Sequence, residues 1–273
     1  MRQRAIGPTV LALLIWMSLL TACGNDTPQA QVSSTPTPAP SYSPPPPAPE
    51  VGSCHDLTYQ QATAATQNSD PIPCTKPHTS RTFATGTLDQ LRDGHLLAVD
   101  SKAAQRNLTT TCTDRMAQFL GARTPELQLT QFKAIWFTPS FAQADDGSNW
   151  FRCDLVALKR DGELMRLPSA PKGILGRAGD SPYSTCGAGT PGSAYFKKVA
   201  CAVAHQWRAT KAIEIPAKTR YLDPAQTQSA DASCKDVAAG AAGSNLKFRW
   251  VFTWPTKQQW HSGVRAGICW LPA

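Results

Sequence analysis

The sequence predicts an α+β protein: two small disulfide-stapled domains from an internal duplication, after a signal peptide and a proline-rich tether. Three observations carry this reading. The nine cysteines of the 273 residues divide as one, then four, then four. The same anchor residues recur at the same offsets in both sets of four. Each set also spans the same series of β-type runs and one helix-like stretch. At 41% hydrophobic and 17% charged, the chain can build a core and is not disordered throughout.

The N-terminus reads as an export signal. Arg2 and Arg4 precede 16 uncharged residues, Ala5 to Leu20. That run is short for a membrane span and suits the apolar part of a signal peptide. It ends in Leu20-Thr21-Ala22-Cys23, which resembles a bacterial lipobox. Residues 1–22 are then a lipoprotein signal peptide, and Cys23 carries the acyl chains that hold the mature protein on the extracytoplasmic face of the cell membrane. Residues 23–50 form the lipidated start and its tether. Nine of residues 24–50 are proline. A polyproline II segment of that length reaches up to about 80 Å.

The remaining cysteines are 54, 74, 112, 153, 186, 201, 234 and 269, with successive gaps of 20, 38, 41, 33, 15, 33 and 35. Both sets run short gap, long gap, long gap. The second cysteine of each begins Cys-x-x-x-His, at Cys74–His78 and Cys201–His205. Pro139, Gly147 and Cys153 repeat at the same offsets as Pro255, Gly263 and Cys269. The units are residues 51–168 and 183–273, joined by a linker at 169–182.

Within each unit the elements follow in order. A β-run covers 81–88 in the first and 206–215 in the second. A helix holds the third cysteine, about 101–120 behind an Asp100 N-cap and about 224–239 behind Asp223. Two further strands close each unit, at 129–138 and 150–159, then 247–253 and 264–271. An exported domain of this size has a limited core, so four disulfides are the expected state. Spacing alone does not fix connectivity. First with second and third with fourth is the expected arrangement: Cys54–Cys74, Cys112–Cys153, Cys186–Cys201 and Cys234–Cys269.

Val51-Gly52-x-Cys54, Pro73-Cys74-x-x-Pro77-His78 and the late series Pro255, Trp260, Gly263, Arg265, Cys269 resemble the septum-formation domain of actinobacterial envelope proteins. The resemblance spans most of residues 51–273, taken as tandem copies, and implies a link to septum formation and cell division. It supplies no reaction. Arg81 and Thr82 stand where the family usually carries an acidic residue. The first unit has Ala144 and Asn149 where the second has Trp260 and Arg265.

Signatures of catalysis are missing. There is no Gly-x-Ser-x-Gly and no His-Glu-x-x-His. Ser169 and Lys172 have Ser-x-x-Lys spacing, but Pro171 between them breaks the required helix. Zinc would have cysteines and a histidine in each unit, yet the short Cys-x-x-Cys knuckles are absent and an oxidising compartment favours disulfides. No catalytic residue, metal or cofactor is therefore expected.

Charge is more informative. Residues 51–182 hold 14 basic and 13 acidic residues, while residues 183–273 hold 11 and 4. Most of the formal +8 thus belongs to the second unit. An anionic envelope polymer, the membrane surface, or a divisome or cell-wall protein fits such a surface, and nucleic acid does not fit the compartment. Candidate binding residues are His78, His205, Trp254, Trp260 and Arg265. Trp254 and Trp260 flank Pro255 in a turn and form, with Lys257, His261 and Arg265, a candidate amphipathic patch; the alternative is a Trp–Pro packing cluster that closes the domain. The expected function is a non-catalytic binding or scaffolding module at the envelope. The alternative is an envelope-modifying enzyme whose site carries no recognised signature.

Overall fold

A computed structural model describes residues 44–176 and 181–273. The signal segment, Cys23 and most of the tether lie outside the described residues, as do 177–180 of the linker. The first half opens with β1 (Cys54–His55) and a single helical turn, α1 (Tyr59–Ala62). It continues with β2 (Ser80–Thr87), a hairpin of β3 (Leu91–Arg92) and β4 (His95–Leu96), and α2 (Leu108–Leu120). β5 (Phe132–Phe137), α3 (Phe141–Asp145), β6 (Trp150–Arg160) and β7 (Glu163–Leu164) complete it. The second half comprises β8 (Thr185–Ala188), β9 (Lys197–Ala200), β10 (Trp207–Glu214), α4 (Pro224–Ala242), β11 (Val251–Thr253), α5 (Lys257–His261) and β12 (Ala266–Pro272).

Each half is an antiparallel sheet with its long helix bonded to an interior strand by a disulfide. The sheet orders are β1-β2-β6-β5, with β7 on β6, and β11-β12-β10-β8-β9. Cys112 of α2 joins Cys153 of β6, and Cys234 of α4 joins Cys269 of β12. Cys54–Cys74 and Cys186–Cys201 close the early loops. All eight of these cysteines are therefore paired, and every bridge closes within one half.

The registers of the halves correspond. Arg81 pairs with Cys54 and Leu155, and Arg208 with Cys186 and Leu271. One irregularity interrupts each central pairing, between Thr82 and Ala84 and between Ala209 and Lys211. The turn before each last strand is fixed by the same device: Ser140 with Gln143, and Thr256 with Gln259, satisfy each other's backbone in a capping box.

Two elements differ from expectation. The helix of the first half begins at Leu108, not Ser101. Ser101, not Asp100, starts a separate turn, accepting from the Ala104 N–H at 3.2 Å. The stretch 101–107 offers only Ala103 and Ala104 as apolar contacts, so a longer helix would bury little. In the second half, β11 covers only Val251–Thr253 of the expected 247–253. Trp250 turns to α4 instead, donating from Nε1 to Asp231 at 3.1 Å with Lys235 over its ring.

The halves pack on one another along a mixed seam, where Leu129 meets the apolar cluster of the second half and Thr130 bridges to Ser184. Gln131 Nε2 donates to Thr185 Oγ1 at 3.0 Å, and Gln128 Nε2 to the Ala266 carbonyl at 2.9 Å. Arg123 pairs with Glu214 at 2.7 Å, and the Phe132 and Tyr183 rings stack at 4.9 Å. The end of the proline run is seated on the first half: the Ser148 hydroxyl donates to the Pro46 carbonyl at 3.2 Å. No helix among the described residues is long and apolar enough to cross a membrane.

Candidate functional site

β6 is buried along Trp150–Ala157, eight consecutive residues. Two of them are charged. Arg152 is 3% exposed and Asp154 is fully buried, and they flank the disulfide-bonded Cys153. Alternation puts both on the face opposite Cys153, where β1 and β2 supply partners. Ser80 Oγ and Thr82 Oγ1 donate to the two Asp154 oxygens at 2.9 and 2.8 Å. Arg152 Nη2 lies 3.4 Å from Asp154 Oδ2, and the guanidinium sits 4.8 Å above the Phe137 ring. Arg152 Nη1 donates to Nε2 of buried His55 at 3.2 Å, and Nη2 donates to Gln67 Oε1 at 2.6 Å.

Arginine only donates, so His55 Nε2 is an acceptor and its proton resides on Nδ1. Burial holds the His55 imidazole below its ordinary pKa, and the Arg152 charge adds to this. Asp154 and the carbonyls of Ser69 and Asp70 pull more weakly upward. Above the group lies a cleft of about 660 Å³, walled by His55, Trp150 and Arg152, the segment Gln67–Pro71 and the tether's Pro47, Pro49 and Glu50.

The second half shows what this location requires for folding alone. By register, His55, Ser80, Thr82, Arg152 and Asp154 correspond to Gly187, Trp207, Ala209, Ile268 and Trp270. There the place is an apolar cluster of Trp207, Ala209, Ile268 and Trp270. Phe196 covers Gly187 so closely that a Cβ would stand 2.3 Å from its ring. The fold thus closes here without charge. Buried ion pairs are often no more stabilising than apolar packing of similar volume.

His78 and His205 adopt the same arrangement. His78 Nδ1 meets the Lys76 carbonyl at 2.9 Å, and His205 Nδ1 the Val203 carbonyl at 2.6 Å, each two residues back. His205 stands within 4.8 Å of the Cys186 and Cys201 sulfurs. Those sulfurs are bonded to each other and lack the thiolate charge of a zinc ligand. Trp254, Trp260 and Arg265 come together as a stack: the tryptophan rings lie 5.6 Å apart, and the Arg265 guanidinium is 4.0 Å above Trp260. Trp260 is 8% exposed, so packing consumes most of its surface. Lys257 and His261 remain exposed beside a hollow of about 310 Å³.

His55, Arg152 and Asp154 were not among the residues singled out from sequence. The signal that finds them is a comparison of the cysteine neighbours, Arg152 and Asp154 around Cys153 against Ile268 and Trp270 around Cys269.

The family model described as septum formation matches residues 51–269, in one match that runs across both halves. No curated protein and no solved structure matches the chain. With four-fifths of its length covered by that model, the chain belongs to the septum-formation family.

Proposed function

We propose that the protein is a lipoprotein on the extracytoplasmic face of the membrane, held through Cys23, and a non-catalytic binding or scaffolding module of the cell envelope in septum formation. Family membership supports the link to cell division, and four disulfides suit an oxidising compartment. The observation that carries the binding role is the state of the second half's charges. Three of its four acids are engaged: Glu214 with Arg123, Asp223 with Arg220 and the first turn of α4, Asp231 with Trp250, while Asp236 stands exposed on α4. Among the described residues, Lys197, Lys198, Lys211, Lys218, Lys247 and Lys257 have no carboxylate within 4.0 Å. At the seam, Lys133 and Lys198 are both held below the usual lysine range by the protein around them. Lys133 falls to about 8, with the Lys198 charge contributing second. Both side chains keep open solvent faces, so an anion can reach them. An anionic envelope polymer is the partner this surface fits best.

Cosedimentation of the full-length protein with isolated cell walls tests the reading. Retention should fall as salt is raised and should drop several-fold in Lys197→Glu/Lys198→Glu/Lys211→Glu. Equal retention by that variant would remove the polymer role. Cys23→Ser should move the protein from the membrane fraction to the soluble fraction, and persistent membrane association would remove the anchor.

One observation favours the second reading, an envelope-modifying enzyme: a histidine with a displaced pKa beside a cleft. His55 is that residue, but its Nε2 lone pair is taken by Arg152. Turnover of cell-wall material that depends on His55 would decide for the enzyme.

A further inference from the structure

We infer that the cleft over His55 and Arg152 is a binding site for an uncharged, hydroxyl-bearing saccharide. Three buried nitrogens of its walls have no partner in hydrogen-bonding geometry: Trp150 Nε1, Arg152 Nε and His55 Nδ1, near which the carbonyls of Ser69 and Asp70 stand without completing a bond. All three are N–H donors, since the His55 proton sits on Nδ1. His55 is 2% exposed, Arg152 3% and Trp150 7%. Unpaired buried donors cost stability, and here the three residues that carry them line one cleft. They call for a ligand rich in acceptor oxygens.

The rim decides which oxygens. Asp154 neutralises Arg152 from beneath, and Glu50 and Asp70 add two exposed carboxylates at the opening. An anionic ligand would meet net negative charge. The walls are otherwise mostly amides and hydroxyls, with prolines and Trp150 as the apolar surfaces. Hydroxyls that both donate to carboxylates and accept from N–H groups suit such a lining better than the apolar side chains of a peptide.

The segment that walls the cleft lies in a longer loop than its counterpart in the second half. The first and second cysteines are 20 residues apart in the first half and 15 in the second. The extra length falls in the segment that supplies Gln67–Pro71. Those residues form no helix or strand, and Gln67 holds the buried pair by a single side-chain bond. Entry of a sugar hydroxyl to the three nitrogens needs that segment to shift and Gln67 Oε1 to be exchanged for a ligand oxygen.

Full-length protein in detergent micelles, labelled with ¹⁵N-tryptophan, tests this. The probes are chitotriose and maltotriose, which carry and lack acetamido groups, and capped trialanine, an uncharged amide without hydroxyls. At least one saccharide should shift the indole signal that Trp150→Phe removes. Glu50→Ala/Asp70→Ala removes the rim carboxylates that accept from sugar hydroxyls and should weaken that binding at least tenfold. The inference is overturned if neither saccharide shifts the signal, if only the peptide does, or if the double variant binds equally well. The site is separate from the basic surface, so the lysine variants above should leave saccharide binding unchanged.

Discussion

Replacing Arg152 by Met tests the reading of the buried polar group most directly. The substitution keeps an unbranched side chain against Phe137 and removes the charge. Asp154 then remains fully buried, held only by the hydroxyls of Ser80 and Thr82. Breaking one side of a buried pair costs about 3–5 kcal/mol. The two surviving hydroxyl bonds, each worth about 1.5–3 kcal/mol to a charged acceptor, put the loss near 3 kcal/mol. Asp154→Leu should cost more, about 5 kcal/mol, because it also strips Ser80 and Thr82 of their acceptor and leaves the Arg152 charge unpaired. The double variant should lose clearly less than the sum of the two, since neither charge is left alone. As a control, Ile268→Met at the corresponding place in the second half should cost under about 1.5 kcal/mol. Guanidinium unfolding with disulfides intact, followed by far-ultraviolet circular dichroism, measures all four. A loss below about 1 kcal/mol for Arg152→Met, or strict additivity of the pair, would refute the description of these groups as a buried, mutually dependent set.

Further outcomes are expected from the same structure. The folded-state pKa of His55 lies below its unfolded value of about 6.5, so the unfolded chain binds more protons as pH falls. Stability should decline as pH drops below about 6.5 towards the folded-state pKa, and His55→Gln should flatten that part of a denaturation-midpoint profile. Removing Cys112–Cys153, whose ends are separated by 41 positions, should cost about 4 kcal/mol by chain entropy, against about 3 kcal/mol for Cys186–Cys201, separated by 15. Melting of the paired Cys→Ala variants checks the order. Trp260→Ala should cost about 3–5 kcal/mol, because the ring is buried between Trp254, Tyr221 and Arg265. A loss of partner capture at full stability would show the ring acting at the surface instead.

The cysteine offsets and the repeated Pro–Gly–Cys spacing made the two-part α+β plan legible, along with the central strands and α4. Elements of two to four residues, such as β1, β8 and β9, are too short to carry a periodicity. They are set by pairing partners distant in sequence. The polar group was hidden for a different reason. Arg152 and Asp154 lie two apart in an alternating strand, which reads as a face turned to water. β6 is instead central in its sheet and covered on both sides, so alternation there separates two buried faces. The tryptophans of the 254–260 turn mislead in the opposite sense. A turn suggests exposure, but Tyr221 packs on Trp260 from far along the chain, and Arg265 lies over its ring from the other side of the turn. The Ser140–Gln143 and Thr256–Gln259 capping pairs stood in plain view at a common offset, and they locate α3 and α5.

The placement of the disulfides has a mechanical consequence. Each bridge closes within one half, so the main chain is the sole covalent thread across the seam. A pull between a membrane-held N-terminus and a wall-bound second half would load that seam through Gln131–Thr185, Gln128–Ala266 and Arg123–Glu214. Each stapled half would resist stretching beyond its bridges. The seam would part first and reversibly, paying out the linker as slack. In the proposed envelope role, such a chain would yield between its two parts while both stay folded.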